Sequence, residues 1–306
     1  MKTIIISFFL LFILVLIWLQ FFYSPSNKQR IAFQINAKEN VVRRSLQEQD
    51  KWQKWWPLNE ERFLYHNQNF NQYGALINKV NIGIHYGDTL INSSIIIYSK
   101  KADTSVVEWL VAFPTPSGIA QKIKLYFTKR DLHDKMLRHS ALLKQFAEKE
   151  ENIYGMKIRE ENVVDPHLVS IKVKMTSYPS TDTIYRMIDQ LRNYIKQQGA
   201  VENNSPMLHV EKTGDSFYVV MVALATNKPL TGTNIILPKK MVLGRILVAE
   251  IKGGQFTVDK QLKELENYVQ DNNRNSPAIP YASLVTDRRK ESDTTKWVTN
   301  IYYPVY

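Results

Sequence analysis

The stretch Ile188-Asp-Gln-Leu-Arg-Asn-Tyr-Ile195 recurs in imperfect form as Leu262-Lys-Glu-Leu-Glu-Asn-Tyr-Val269. The first copy is followed by Asn204-Ser205-Pro206 and the second by Asn275-Ser276-Pro277, and a short apolar run comes after each. Apolar residues in both copies recur at i, i+4, i+7 and i+11, which is the spacing of a helix that buries one face. The repeat predicts a pseudo-symmetric domain, and such a domain often encloses a cavity where its halves meet.

Each copy is predicted to form a strand, a helix and two further strands. The predicted ranges are 168–175, 183–198, 206–211 and 217–225 in copy one, and 244–251, 257–270, 278–285 and 297–305 in copy two. In the first of these strands Val169, Ile171 and Val173 alternate with polar residues, so one face of that strand is expected to meet solvent.

The part of the chain before the repeat predicts a second antiparallel sheet. A strand at 31–35 is followed by a helix from Asn36 to about Gln49, and strand-like runs then lie at 80–84, 95–98, 106–113 and 123–127. A long amphipathic helix is expected next, with Asp131 as its cap. We therefore predict an α+β protein, in which one long helix covers a curved antiparallel sheet and the duplicated domain follows.

The first domain resembles the helix-grip superfamily, the START and polyketide-cyclase-like group called SRPBCC. The resemblance is carried by Asp50-Lys-Trp52-Gln-Lys-Trp55-Trp56-Pro57, which looks like the tryptophan-rich turn after the first helix of that family, and by Val107-Glu-Trp109 late in the sheet. It implies a hydrophobic ligand held between the sheet and the long helix. The alternative is that the three clustered tryptophans only fill core volume, as large aromatic side chains usually do.

The repeated domain resembles the gyrase-inhibitor-like (GyrI-like) family of bacterial effector-binding domains. The matching residues are Ile184-Tyr185, Leu237-Pro238, Gly254-Gln-Phe256 and the closing Lys296-Trp297-Val-Thr299-Asn300-Ile-Tyr302-Tyr303-Pro304-Val305. The resemblance implies that a lipophilic, often cationic, small molecule binds in a cleft between the two halves.

One position departs from the family pattern. Family members commonly carry a glutamate where this chain has Asn300, and an amide cannot neutralise a ligand cation. Glu250 and Glu291 are nearby in sequence and could take its place, although a surface role is the other reading of each. The departure weakens the expectation of a cationic ligand, and it weakens the expectation of the hydrolase activity that some relatives have.

Seven residues are the candidate ligand-binding set, because an aromatic ring buries a large flat area while a polar tip fixes the ligand's orientation. They are Tyr185, Tyr218, Phe256, Tyr281, Trp297, Asn300 and Tyr302. Each of them could instead be core packing, and the inference depends on their clustering in a fold that has a cleft.

The N-terminus predicts a single-pass membrane anchor. Residues 4–22 are apolar apart from Ser7 and Gln20, and as a helix they would span roughly 28 Å, close to the hydrocarbon thickness of a bilayer. A cleaved signal peptide is the alternative, but bulky aromatic residues occupy the region where a small-residue cleavage site would lie. The flanking charges leave open which side of the membrane the body faces.

The remaining composition excludes several classes of site. The chain has no cysteine, its six histidines are scattered, and it lacks a nucleophile elbow and a phosphate-binding glycine loop. The net charge of +11 is spread among acidic residues, without a helix-turn-helix or zinc-finger spacing, so a nucleic-acid partner is not expected. No metal, cofactor or catalytic residue is predicted.

The sequence therefore predicts a three-part chain. The parts are a membrane anchor (1–27), a helix-grip domain (28–156) and a GyrI-like effector-binding domain (157–306). The predicted function is the binding or sensing of a lipophilic small molecule at a membrane. Two alternatives stay open: a hydrolase or cyclase that acts in one of the cavities, and a protein-interaction module whose pocket is filled by side chains.

Overall fold

The chain divides into two compact units, Met1–Lys149 and Glu150–Tyr306. The computed structural model describes residues 2–21, 26–56, 63–64, 78–86, 89–164, 166–214 and 216–306. Pro57, in the tryptophan-rich motif, lies outside the described residues. The three predicted domain ranges stay a prediction.

The first unit contains one antiparallel sheet and four helices. The helices are α1 (Lys2–Phe21), α2 (Glu39–Gln47), α3 (Gln49–Trp55) and α4 (Ile119–Ala147). The strands are β1 (Lys28–Ile35), β2 (Phe63–Leu64), β3 (Lys79–Tyr86), β4 (Thr89–Lys101) and β5 (Thr104–Ala112). They form a five-stranded sheet in the order β1-β5-β4-β3-β2. The α+β fold, with an antiparallel sheet and one long helix, is confirmed.

Two local predictions in this unit were wrong. The run 123–127, predicted as a strand, lies inside α4, and Asp131 lies in the middle of that helix and does not cap it. The helix begins at Ile119 because Gly118 takes an extended N-cap conformation and the Gln121 side chain accepts a hydrogen bond from the Ser117 amide at 2.8 Å.

The tryptophan-rich stretch is mainly helical, since α3 covers residues 49–55 and follows α2 directly. The three tryptophans are buried, with Trp52 and Trp56 stacked at 4.9 Å between ring centroids. Trp56 also lies 4.3 Å from the ring of His139, a fully buried residue of α4. The Trp55 indole N–H donates to the Ser45 carbonyl at 2.9 Å. These contacts favour core packing for the cluster, and the SRPBCC resemblance stays a prediction.

In its described residues, the second unit contains an eight-stranded antiparallel sheet, three α-helices and a short 3-10 helix (Thr294–Lys296). The helices are α5 (Glu150–Tyr154), α6 (Thr181–Gln197) and α7 (Gln255–Asp271). The strands are β6 (Arg159–Asn162), β7 (His167–Met175), β8 (Glu202–Thr213), β9 (Phe217–Thr226), β10 (Leu237–Lys240), β11 (Arg245–Lys252), β12 (Tyr281–Leu284) and β13 (Val298–Val305). The predicted duplication of strand, helix and two strands is confirmed.

The strand order shows the pseudo-symmetry of this sheet. The order is β10-β7-β9-β8-β12-β13-β11-β6, so each half reads outward in the same way from the central pair β8 and β12. The halves join through Ala282 opposite Leu208 and Ser283 opposite Met207. Copy one supplies β7, α6, β8 and β9, and copy two supplies β11, α7, β12 and β13. The two halves of the domain therefore meet at β8 and β12.

Helix α6 follows from its sequence. The Ser180 side chain caps its N-terminus by accepting from the Thr183 amide at 3.2 Å. Its apolar face buries Ile184, Ile188 and Leu191 against Val220 and neighbouring residues of β9. This packing places α6 on one face of the sheet, which we call the helix face.

The N-terminal helix α1 extends over 20 residues, and its described side chains are largely exposed. Among the helices in the described part of the chain, none is long and apolar enough to cross a membrane. The membrane anchor stays a prediction.

Candidate functional site

The seven candidate residues do not lie together, because they divide between the two faces of the eight-stranded sheet. Opposite residues of an antiparallel pair point to the same face. Tyr281 faces Tyr302 and Ser283 faces Asn300, so these four side chains share one face, which we call the open face. The intervening residues Ala282 and Ile301 point to the helix face.

A cavity of about 170 Å³ lies on the open face where the two halves join. Residues from both copies and from the edge strand β6 line it. They are Glu161, Asn162, Val163, Val164, Asn204, Ser205, Met207, Met241, Ile246, Tyr281, Ser283 and Tyr302. Its position agrees with the expectation that a duplicated domain encloses a cavity between its halves.

Two stacked tyrosines form one wall of this cavity. The rings of Tyr281 and Tyr302 have centroids 4.9 Å apart and an angle of 9° between their planes. They are brought together because β12 and β13 pair with these two residues directly opposite each other. Stacked rings provide a flat, partly apolar surface with two hydroxyl groups at its edge.

The second copy of Asn-Ser-Pro precedes β12, whereas the first copy distorts β8 and forms the opposite wall. The pairing of β8 with β9 shifts register between Asn203 and Met207, and Asn204 takes a positive φ of 60°. Pro206 has no N–H to donate to a neighbouring strand. A bulge of this kind bends the strand and re-aims its side chains, so Ser205 and Met207 border the cavity.

The edge strand β6 places the carboxylate of Glu161 at the cavity, and the neighbouring Glu160 holds the strand in position. Glu160 accepts from Arg245 Nη1 at 3.1 Å and from Arg274 Nη1 at 2.5 Å, and these ion pairs fix the strand against β11. The Arg274 guanidinium holds the pKa of Glu160 below its ordinary value. Because successive residues of a strand point to opposite faces, Glu161 then lies on the cavity side.

Asn300 and Tyr302 form the polar part of the open face. The Asn300 Oδ1 atom is buried and has no hydrogen-bond partner among the described residues. Burial raises the pKa of Tyr302, the neighbouring Asn300 amide lowers it, and the charge of Glu161 raises it. The Tyr302 hydroxyl therefore stays protonated at neutral pH.

Two of the other candidates, Tyr185 and Tyr218, lie on the helix face. Tyr185 is buried in the core, and its hydroxyl accepts from the Arg288 amide at 2.9 Å and donates to the Thr286 carbonyl at 3.1 Å. Tyr218 packs against the same core and meets Tyr178 edge to face at 5.8 Å. Both are explained by packing.

Trp297 and Phe256 are the two remaining candidates, and neither of them is buried in the core. The Trp297 indole N–H donates to the Glu291 carbonyl at 2.8 Å, and the Arg288 guanidinium lies 4.7 Å above its ring. Phe256, at the start of α7, is 84% exposed. The seven-residue site as a whole therefore stays a prediction.

Several residues of the cavity carried no recognisable sequence signal. Met207 and Ser283 reach it through the register of β8 against β12, and Glu161 reaches it through β6, a strand that the repeat did not include. The proline in Asn204-Ser205-Pro206 was the one available signal, because a proline in a strand indicates an edge or a bulge.

Over the described residues, no cluster of three or more His, Asp or Glu side chains is placed to hold a metal ion. The lining contains aromatic rings, aliphatic side chains, hydroxyl groups and one carboxylate. Such a lining can bury a small apolar group and position a polar or positively charged atom beside it.

No protein-family model matches the sequence, and no curated protein matches it. Among solved structures, the chain is similar to the EcmrR C-terminal domain, with 15% identity, a TM-score of 0.42, and coverage of 49% of this chain and 98% of that one. SAV2435 bound to tetraphenylphosphonium gives 15% identity, a TM-score of 0.33, and coverage of 49% and 94%. The di-domain aromatase/cyclase BexL gives 10%, 0.33, and coverage of 91% and 85%. These likenesses are too weak to carry an argument about function.

Proposed function

We propose that the second unit is a small-molecule-binding domain that holds one flat, lipophilic group against Tyr281 and Tyr302. The observation that carries the proposal is the cavity on the open face, walled by these two stacked rings. Burial of the ligand's apolar surface drives binding, at about 25 cal/mol for each Å² removed from water. The hydroxyl and amide groups at the edge orient the ligand.

The size of the cavity limits the ligand. Apolar cavities of about 150 Å³ accept a molecule such as benzene, whereas drug-sized ligands occupy pockets of roughly 300–1,000 Å³. With about 170 Å³, this cavity has room for one ring and a small substituent. We therefore expect tetraphenylphosphonium, which carries four phenyl rings, to be excluded.

Glu161 is the residue that decides which ligand charge the cavity favours. This carboxylate takes the place that sequence reasoning had considered for Glu250 and Glu291. Glu250 is exposed on the open face opposite Asn300, and the Glu291 side chain accepts from the Asp293 amide at 2.9 Å. Glu161 is exposed and forms an ion pair with Arg159, whose Nε lies 3.3 Å from Glu161 Oε1, so a bound cation would compete with that arginine for the carboxylate. Nearby aromatic faces add to the attraction for a cation. We infer that a singly charged aromatic cation is preferred over its neutral analogue.

The test compares two molecules of nearly the same shape. Phenyltrimethylammonium and tert-butylbenzene differ in a nitrogen for a carbon, and so in one positive charge. Binding to the purified full chain is measured by calorimetry and by ligand-observed NMR. We expect the cation to bind at least ten times more tightly, a difference of about 1.4 kcal/mol.

Two variants locate the binding. Ser283→Leu fills the cavity and is expected to abolish binding of both molecules, whereas Glu161→Gln removes only the preference for the cation. His209→Gln is the matched control, since it lies on β8 outside the cavity lining. Binding that survives Ser283→Leu unchanged would place the ligand elsewhere and refute the proposal.

A hydrolase acting in the same cavity is the second candidate function. It is favoured by the carboxylate of Glu161 beside Tyr302, since a carboxylate within reach of a bound substrate can act as a general base. The NMR samples test it directly when phenyl acetate replaces the two ligands. If the protein hydrolyses phenyl acetate, and if Glu161→Gln abolishes this hydrolysis but not binding, the protein is an enzyme.

We also propose that the chain is attached to a membrane through its N-terminus. The apolar sequence of residues 4–22 supports this, as does an exposed surface on α4 that carries Ile123, Tyr126 and Phe127 among lysines. The Lys122 Nζ of that surface donates to the Gln20 carbonyl at 2.8 Å, at the end of α1. If the proposal is correct, the full chain stays in the membrane fraction after an alkaline carbonate wash, and a variant that lacks residues 1–24 is released.

A further inference from the structure

A buried arginine lies on the helix face of the second unit, in the connection between β12 and β13. Arg288 is 7% exposed. Its Nη1 donates to Gln255 Oε1 at 2.9 Å and its Nη2 donates to Thr299 Oγ1 at 3.1 Å. One face of its guanidinium lies over the Trp297 ring, 4.7 Å from the ring centroid. The guanidinium is thus held rigidly by neutral groups.

The neighbouring Arg289 has the acidic partners that Arg288 lacks among the residues described. Arg289 is more exposed and forms ion pairs with Asp189 at 2.7 Å and Asp287 at 3.3 Å. Within the described part of the chain, none of the ion pairs involves Arg288. Asp259 contributes a favourable charge interaction, but its Oδ1 accepts from Gln255 Nε2 at 2.8 Å. The exposed arginine has its counter-charges, and the buried one has only neutral hydrogen-bond partners.

A buried charge without a counter-charge is energetically unfavourable. Removal of an ion from water is unfavourable in a protein unless a nearby charge of opposite sign offsets it. Burial accordingly lowers the pKa of Arg288 from its ordinary value. Such a group is suited to bind an anion, because Arg presents five donors in a fixed planar fork that matches a carboxylate.

The side chains near Arg288 indicate what kind of chemical group a bound anion would carry beside its negative charge. Phe256 follows Gln255, a hydrogen-bond partner of Arg288, directly in sequence and is 84% exposed. Tyr178, 39% exposed, is close enough for its hydroxyl to interact electrostatically with Arg288. Two exposed aromatic residues, Phe256 and Tyr178, therefore belong to the segments that lead to this buried cation. This arrangement fits a flat ligand with one negative charge.

We propose that the helix face of the second unit carries a separate binding site, centred on Arg288, for an aromatic carboxylate. The ligand carboxylate would pair with the guanidinium edge that Gln255 and Thr299 leave free, and its ring would pack beside Trp297 and Phe256. The site lies on the opposite face of the sheet from the cavity beside Tyr302. It therefore does not depend on the function proposed for that cavity.

The experiment uses benzoate and benzamide, which share a ring and differ in charge. Binding to the purified full chain is followed by calorimetry at constant ionic strength. We expect benzoate to bind at least ten times more tightly than benzamide, and its affinity to fall as salt is raised. Equal affinities, or no detectable binding of benzoate at millimolar concentrations, would overturn the proposal without the need for a variant.

Three variants then assign the binding to Arg288. Arg288→Gln is expected to lower benzoate affinity at least tenfold, and Arg288→Lys to keep part of it because the charge remains. Arg289→Gln is the matched control, since it removes a neighbouring positive charge that already has its counter-charges. If Arg289→Gln weakens benzoate as strongly as Arg288→Gln, the effect is general electrostatics and the site is refuted. If Arg288→Gln does not fold, the comparison of Arg288→Lys with Arg289→Gln decides.

Discussion

The two copies of the repeat have the same topology but differ in how tightly they pack. Helix α6 buries seven residues, and its N-terminus is capped by a serine side chain. Helix α7, of equal length, buries four residues and begins after Gly254, which offers no side-chain cap. The equivalent positions Ile188 and Leu262 show the same difference, since Ile188 is fully buried and Leu262 is half-buried.

The looser copy carries most of the groups to which we assign binding. Tyr281 and Tyr302 of the open face come from copy two, as do Arg288 and Trp297 of the helix face. Copy one contributes the bulged part of β8 and most of a buried core cluster. On our proposals copy one mainly stabilises the domain, while copy two supplies most of the side chains that would contact ligands.

The largest expected effect tests this difference in the helices. Ile188→Ala should lower the free energy of unfolding of the second unit by about 3 kcal/mol, since it removes a fully buried side chain and leaves a cavity. Leu262→Ala should cost only about 1 kcal/mol, because solvent already reaches that side chain. Hydrogen exchange of β9 amides, read by mass spectrometry across a urea series, measures both.

The control for this pair uses positions that the two copies share. Leu191 and Leu265 are equivalent in the repeat and both are fully buried. Their changes to alanine should therefore have similar costs, of about 2–5 kcal/mol each. If Ile188→Ala and Leu262→Ala prove equally costly, the two helices are packed alike and the comparison fails.

A smaller effect is expected at the helix caps. Ser180→Ala should destabilise α6 by about 1 kcal/mol, because the Thr183 amide loses its acceptor. Gly254→Ser should stabilise α7 by a few tenths of a kcal/mol, since Gly254 has the extended conformation of an N-cap and a Cβ there would meet Thr294 at an ordinary 3.5 Å. Thermal unfolding of each variant checks the two signs, and a loss of stability with Gly254→Ser would contradict the second.

The sequence predicted the repeat well, because a helix that buries one face leaves a periodic pattern and both copies retain it. It could not predict that the candidate residues divide between two faces. That division depends on strand register, and a shift of one residue exchanges the faces. Tyr281 and Tyr302 were identified by their aromatic character. Arg288 was not, because burial of a charge has no signature in an exposed-looking run such as Thr286-Asp-Arg-Arg-Lys-Glu291.

The stretch 123–127 was predicted as a strand but forms part of a helix. Its apolar residues are consecutive enough to suggest a strand, yet the chain forms α4 there and leaves Ile123, Tyr126 and Phe127 about half exposed. Short apolar runs do not distinguish a strand from part of a helix. Long-range packing decided the outcome, and a single sequence does not contain that information.

The smallest expected effect concerns the outer strands, where copy two is held by charges. The outer strands β6 and β10 are both exposed. Glu160 fixes β6 through Arg245 and Arg274, whereas Lys239 of β10, the equivalent strand of copy one, forms none of the ion pairs in the described residues. Because the folded-state pKa of Glu160 is lowered, the stabilisation that its ion pairs give is fully present above its unfolded pKa and is lost as the pH falls through the folded-state pKa.

Arg274→Gln should therefore lower the free energy of unfolding by up to about 1 kcal/mol near neutral pH. As the pH falls through the lowered pKa of Glu160, the cost should shrink to the contribution of the hydrogen bond that Arg274 Nε donates to the Tyr306 carbonyl. Urea unfolding across this pH range measures the change, with Lys239→Gln as the control that should have no effect at any pH. A cost for Arg274→Gln that does not vary with pH would show that the arginine acts by packing, and that β6 and β10 are held in the same way.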